Sequence, residues 1–368
     1  MQEQPFRYFL HGHEAWSAML AACSNARESI EIEQYIFADD EIGRQFIEVL
    51  RERAWAGVKI RILCDTVGSW SLYTSQLPTV IKQDGIEVRF FNTVSPWRIN
   101  NFFSWFFRDH RKIMIVDKKI GFTGGIGIQN KMHNWRDTCV EVRGPIVQEM
   151  IFTFNEMWAQ VANRDLLSRI QKARNYTRGF RFITGAPYLG KRFLYLSIIE
   201  AIRSAKTYAY ITTPYFIPDQ RLARVLRLAV KRGVDVRILL PGLPENPDAQ
   251  FTHKTQEIVR YGAYSFYESM LRAGVKIYEY HKSFLHSKTM TIDDEWSTVG
   301  SFNLDSLSFF YNYEANIVST DQESSQTIKK HFFDDLKLSK EIKMEEWLQR
   351  PFYQKFRELL VTPIRPFL

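Results

Sequence analysis

Two rhythms of apolar and polar positions succeed one another along the chain. Residues 44–56, RQFIEVLRERAWA, and 221–232, RLARVLRLAVKR, place apolar side chains three and four apart, the spacing of one helix face. A short apolar run follows each through a glycine, GVKIRIL at 57–63 and GVDVRIL at 233–239. A strand ending in a similar turn precedes each, YIFADD at 35–40 and YFIPDQ at 215–220. Further on, GIEVRFF at 85–91 answers GVKIYEY at 274–280. The two Gly-Val runs, starting at 57 and 233, lie 176 residues apart, and four correspondences in one order indicate an internal duplication.

Strands alternating with helices of this length predict an α/β fold of two pseudo-symmetric halves, each a mixed, largely parallel sheet flanked by helices. The apolar continuity of KIRILCD and DVRILLP fits strands buried on both faces. The halves are expected at 1–165 and 186–340, joined by a polar and basic linker at 166–185 and followed by an amphipathic tail at 341–368.

Composition changes this picture in a few respects only. The 368 residues are 45% hydrophobic and 24% charged, which excludes a disordered or collagen-like chain. Three scattered cysteines, Cys23, Cys64 and Cys139, cannot form a disulfide framework or zinc cluster and point to a reducing compartment. The N-terminal MQEQPFRYFLHGHEAW lacks the pattern of a signal peptide, and no apolar run reaches the ~18–20 residues that cross a bilayer. The net charge of +8 favours anionic partners, and a 15% aromatic content, led by 28 Phe, is high for a protein that only has to stay dissolved.

The duplication carries chemistry. Residues 110–117, HRKIMIVD, and 286–293, HSKTMTID, both read His-x-Lys-x-x-x-x-Asp, again 176 residues apart. In a strand, residues i and i+2 share a face, so His110 projects with Lys112 and His286 with Lys288. Two such strands related by a pseudo-dyad are expected to bring two imidazoles and two ammoniums into one pocket at the interface of the halves. The lysines suit the non-bridging oxygens of a phosphodiester; one imidazole can attack phosphorus and the other protonate the leaving oxygen. Without the repeat, two buried histidines beside two surface lysines would be the plain reading, and the repeat is what it fails to explain.

The pair resembles the twin motifs of the phospholipase D superfamily, and Gly124-Gly125, Gly300-Ser301 and Asn303 extend the resemblance. It implies a covalent phosphohistidine intermediate and no metal or other cofactor, with His110 as nucleophile and His286 as general acid. Asp117 and Asp293 are then mainly structural, Asp137 and Glu314 orient the histidines, and Lys112, Lys288, Ser301 and Asn303 bind phosphate. Many relatives carry Asn where this chain has Gly127, so the half-sites are expected to be unequal.

Over nearly its whole length the chain is similar to the bacterial cardiolipin synthase branch, through EIEQYIFADDEIGRQF, TPYFIPD, AGVKIYEYHKSFLHSKTMTID and VGSFNLDSLSFFYNYEAN. That resemblance implies a phosphatidyltransferase that joins two phosphatidylglycerols with release of glycerol, peripheral on the cytoplasmic side of the bacterial membrane. A phospholipid hydrolase with water as acceptor, and a nuclease of the same superfamily, are the alternatives; interspersed rather than clustered charge disfavours nucleic acid. A membrane or lipid contact is expected in WRINNFFSWFF at 97–107, through Trp97, Phe102, Phe103, Trp105, Phe106 and Phe107, or else a pocket lining or a core segment. For the tail EEWLQRPFYQKFRELLVTPIRPFL, a surface anchor and docking on the protein body are both open.

Overall fold

A computed structural model of the chain describes residues 6–93, 106–163, 179–187, 192–243 and 254–367. The chain divides into two compact units. Unit 1 holds Met1–Pro187 with Val299–Ser301 and Tyr311–Ile317, and unit 2 holds Tyr188–Thr298, Phe302–Phe310 and Val318–Leu368. The second repeat is therefore not self-contained, because two of its segments belong to unit 1.

Unit 1 contains β1 (Phe6–His11), α1 (Gly12–Ser24), β2 (Ser29–Gln34), α2 (Glu41–Trp55), β3 (Lys59–Asp65), α3 (Trp70–Thr74), α4 (Leu77–Gln83) and β4 (Glu87–Phe91). It continues with β5 (Arg108–Asp109), β6 (Lys112–Val116), β7 (Ile120–Gly124), β8 (Arg136–Arg143), α5 (Ile146–Asn163) and β9 (Phe180–Gly185). Unit 2 contains α6 (Phe193–Ser204), β10 (Tyr208–Thr212), α7 (Gln220–Lys231), β11 (Asp235–Pro241), α8 (Lys254–Arg272), β12 (Lys276–Tyr280) and β13 (Thr289–Ile292). β14 (Trp296–Gly300) and β15 (Asn312–Ser319) follow and are shared between the units, with α9 (Ser306–Phe310) between them in unit 2. α10 (Gln322–Leu336), β16 (Ser339–Glu341), α11 (Met344–Leu348) and α12 (Phe352–Val361) complete unit 2.

The repeated turns become helix starts. Asp40 caps α2 by accepting from the Gly43 N–H at 3.1 Å, and Asp219 caps α7 by accepting from the Leu222 N–H at 2.8 Å. Both helices bury the predicted stripe, Ile42, Phe46, Ile47 and Leu50 in α2 and Leu222, Val225, Leu226 and Ala229 in α7. Gly57 and Gly233, both at φ +89°, let the chain leave each helix into the next strand.

The sheet of unit 1 runs β1-β8-β7-β6-β2-β3-β4, and that of unit 2 runs β14-β13-β10-β11-β12-β16. The order β7-β6-β2-β3-β4 thus repeats as β14-β13-β10-β11-β12. The sheets are mixed, as expected, but among the described strands parallel pairing is limited to β2-β3-β4, β10-β11-β12 and the short β5-β15 pair. β6 pairs antiparallel with both β2 and β7, and β13 pairs antiparallel with β10. The expectation of a largely parallel sheet is corrected accordingly. A tight turn joins β6 to β7, with Lys119 N–H on the Val116 carbonyl at 3.0 Å, and strands so joined can only be antiparallel.

The expected linker at 166–185 also needs correction where it is described. Phe180 and Phe182 of β9 lie in the core of unit 1 with Phe6, Val142 and Met150, and the Phe182 N–H donates to Glu149 at 2.7 Å.

Candidate active site

In unit 1, β5 pairs in parallel with the start of β15, matching Arg108 to Asn312 and Asp109 to Tyr313. The ladder continues one step, with the His110 N–H on the Tyr313 carbonyl at 2.9 Å. Register then delivers Glu314 to the imidazole, with His110 Nδ1 3.0 and 3.1 Å from its two carboxylate oxygens. Ser301 Oγ donates to the same carboxylate and accepts from the Ala315 N–H at 3.0 Å. Burial would raise the pKa of Glu314, but the charge and hydrogen bond of His110, the charge of Lys112 and the Ser301 hydroxyl outweigh it and hold the carboxyl below its ordinary range.

Lys112 is buried, and its Nζ donates to the His110 carbonyl at 2.6 Å and stands 5.3 Å from the Tyr35 ring. Burial pulls its pKa down to about 8, against the opposing charges of Glu314, Asp137, Asp109 and Asp65. Asp137 is buried, accepts from the Thr138 N–H at 2.7 Å, and occupies the space that a side chain at Gly125 would need; a Cβ there would lie 2.1 Å from Asp137 Oδ1. The small residue after Gly124 is thereby explained.

Alternation along the strand sends Arg111 to the other face, where it pairs with Asp109 at 3.1 Å and Glu33 at 2.7 Å. Asp65, at the end of β3, accepts from the Asp109 N–H at 3.0 Å and pairs with Arg108 at 3.4 Å. Its pKa rises to about 6, because burial outweighs Arg108 and the backbone donors.

Unit 2 repeats part of this pattern. His286 and Lys288 are buried, and Lys288 Nζ donates to the His286 carbonyl as Lys112 does to His110. The Phe284 ring stacks on His286 at 6.0 Å. Asn303 is 3% exposed, its N–H donates to Ser308 Oγ at 3.2 Å, and its side-chain oxygen is buried without a hydrogen-bond partner. The matching Gly127 lies against Ile36, where a Cβ would meet Ile36 Cβ and O at 3.1 Å, and its carbonyl accepts from Trp16 Nε1 at 2.9 Å.

The motif aspartates are committed to backbone. Asp117 accepts from the N–H groups of Arg27, Glu28 and Ser29, and Asp293 from those of Lys206, Thr207 and Tyr208. Both stand in left-handed turns, at φ +51° and +55°.

Of the predicted residues, unit 1 therefore brings together His110, Lys112, Ser301 and Glu314. The Ser301 hydroxyl, expected on phosphate, is turned toward Glu314 here. Phe106 is exposed with its ring 6.5 Å from Tyr311, and the Phe107 carbonyl accepts from Asn92 at 2.8 Å; Trp97, Phe102, Phe103 and Trp105 lie outside the described residues. Sequence reasoning missed two tyrosines. Tyr35 meets the His110 ring edge-on at 4.8 Å, and Tyr215 meets His286 edge-on at 6.4 Å. Both open the repeated turns YIFADD and YFIPDQ, a signal that was available. It also missed Asp65, which ends KIRILCD but has no counterpart in DVRILLP.

A duplicated α/β scaffold with a buried His-x-Lys pair leading into the same strand of each copy, β6 and β13, defines the twin-motif phosphodiester enzymes of the phospholipase D type. The family described as "Cardiolipin synthase, PLD-like domain" matches residues 19–158 and 198–336. The cardiolipin synthase of Geobacillus kaustophilus is 33% identical over 97% of this chain and 71% of its own length. Cardiolipin synthase A of Pseudomonas fluorescens is 34% identical over 98% of this chain and 74% of its own. The crystal structure of phosphatidylserine synthase from Haemophilus influenzae superposes with a TM-score of 0.76 at 15% identity, covering 99% of this chain and 93% of that one, a likeness of fold. The chain belongs to the cardiolipin synthase family and is an enzyme of the phospholipase D superfamily.

Proposed function

We propose that the protein transfers the phosphatidyl group of one phosphatidylglycerol to a hydroxyl of a second, forming cardiolipin and releasing glycerol. The observation that carries this reading is the buried His110–Glu314 pair. With Nδ1 held by the carboxylate, the proton resides there and the Nε2 lone pair is left for attack.

In the first step Nε2 of His110 bonds to phosphorus, the bond to the glycerol oxygen breaks, and that oxygen takes a proton from the His286 imidazolium. In the second, neutral His286 takes the proton of the incoming hydroxyl, whose oxygen bonds to phosphorus as the P–N bond breaks. Lys112 and Lys288 neutralise the non-bridging oxygens, and Asn303 offers them the NH2 of its amide. Asp137 is the matching orienting carboxylate. Ser301 acts through Glu314, and Asp117 and Asp293 anchor their turns. Relatives named cardiolipin synthase support the lipid substrate.

The substrate places the protein at an anionic membrane, on the cytoplasmic face. Among the described residues no helix is long and apolar enough to cross a membrane. The test is product analysis from phosphatidylglycerol in detergent micelles. Cardiolipin with equimolar glycerol is expected, and it should disappear in His110→Ala and His286→Ala. Phosphatidic acid as the sole lipid product would make the enzyme a hydrolase, and DNA cleavage without lipid turnover would make it a nuclease; either overturns the proposal.

A further inference from the structure

α12 presents its apolar side to solvent. Phe352, Tyr353, Phe356, Leu359 and Leu360 are 80, 57, 50, 65 and 60% exposed. Their spacing places them on one stripe of the helix. The other side is fastened to the protein: Val361 is buried, Arg357 donates to Glu257 at 2.6 Å and to the Tyr261 hydroxyl at 3.1 Å, and Glu358 pairs with Arg350. A ten-residue helix is too short to persist alone, so these contacts both keep it folded and set its outward face. Contiguous apolar exposure of this kind marks an interaction surface.

The chain runs on from α12 to Arg365, which donates to Ser265 Oγ at 3.1 Å and lies 5.2 Å over the Phe266 ring. Arg365 is also one wall of an open groove of about 920 Å³, whose lining includes Arg221, Arg224 and Arg227 of α7. Those three are spaced along one face of that helix. Asp219 is the one carboxylate among the lining residues, and it already accepts from the Leu222 N–H and the Tyr195 hydroxyl. The groove is strongly cationic.

We infer that the α12 stripe and the arginine groove joined to it form a docking surface for an anionic phospholipid bilayer. The aromatic and leucine side chains enter the interface, and the arginines receive lipid phosphates. The inference deepens the proposed function and rests on it for the lipid class. Charge complementarity selects this occupant over a second copy of the chain, because an isologous contact through this surface would set the same arginines against each other.

The experiment is co-sedimentation of the full chain with phosphatidylcholine vesicles, with and without phosphatidylglycerol. The wild type is expected to bind only the anionic vesicles, and less at high salt. Combining Phe356→Ser, Leu359→Ser and Leu360→Ser should lower partitioning roughly 100-fold. Combining Arg221→Gln, Arg224→Gln and Arg227→Gln should lower it about fivefold per arginine at low salt and flatten the salt dependence. Wild-type binding by either variant overturns the inference. So does a wild-type dimer that ignores vesicles and dissociates in the stripe variant, which would assign the stripe to a second copy. Leu359→Cys carrying an environment-sensitive fluorophore reports independently of any folding defect, since Cys23, Cys64 and Cys139 are buried and label poorly. A blue shift on anionic vesicles is expected, and unshifted emission overturns the inference. Micelle activity is read separately, so loss of cardiolipin formation with vesicle binding intact refutes the proposed reaction and leaves the surface standing.

Discussion

Replacing Glu314 with Gln keeps the side-chain volume and removes one negative charge from behind His110. Glu314 is fully buried, and its two oxygens lie 3.0 and 3.1 Å from Nδ1, so the contact is charge-assisted and unscreened. Such a bond to a buried ion contributes about 1.5–3 kcal/mol, or roughly 10- to 150-fold in rate if it strengthens as the imidazole becomes positive at phosphorylation. A second effect adds to this. The Gln amide can present its NH2 to Nδ1, which moves the imidazole proton to Nε2 and removes the attacking lone pair; the comparable carboxylate-to-amide change in a Ser-His-Asp triad costs about 10⁴. The expected fall in kcat is therefore between about 10² and 10⁴, with KM little changed because Glu314 acts through His110. Initial rates of cardiolipin formation from micellar phosphatidylglycerol measure both. Ser301→Ala, which removes only a neutral donor from the carboxylate, should cost about tenfold or less. A folded Glu314→Gln enzyme with kcat within about threefold of wild type would refute the orienting role.

Lys112 is pulled down to about 8, so in the free enzyme its ammonium is present below that pH and is lost above it. KM for phosphatidylglycerol should rise as pH passes about 8, and a flat KM from pH 7 to 9.5 contradicts its role on phosphate. Asp117→Ala deprives three backbone N–H groups of their acceptor and puts Ala at φ +51°, and urea unfolding should report a loss of about 1–3 kcal/mol. Although burial raises the Asp117 pKa, the N–H groups of Glu28, Arg27 and Ser29 and the Lys119 charge bring it below its ordinary value. The stabilisation is thus complete above about pH 4, the unfolded value, and disappears as pH falls through the lower folded value, so wild type and variant should converge in acid. Gly127→Asn restores the amide of many relatives but forces Ile36 to move, and should lower stability by about 1–3 kcal/mol without raising activity.

Much of the molecule was legible because its signals are local. Helix faces in α2 and α7, the aspartates that cap them, and the strands that follow depend on neighbours within a few residues, and their recurrence at one spacing exposed the duplication. The same repeat located the His-x-Lys pairs, although they lie at the entry to β6 and β13 rather than within a strand.

What only the tertiary structure decided depends on long-range pairing. Glu314 lies 204 residues beyond His110, and sequence could name it as an orienting group without saying for which histidine; the ladder from β5 to β15 makes that choice. The same packing sets the Ser301 hydroxyl against the carboxylate and turns part of the expected linker into the buried strand β9, because two alternating phenylalanines carry too short a pattern to outweigh a basic segment. For the tail, periodicity established that α12 has an apolar side but not which way it faces. Arg357 on Glu257 and Tyr261, with Val361 buried beneath, fastens the opposite side to α8 and leaves the apolar stripe in solvent, since a helix's orientation is set by the partners it finds in space.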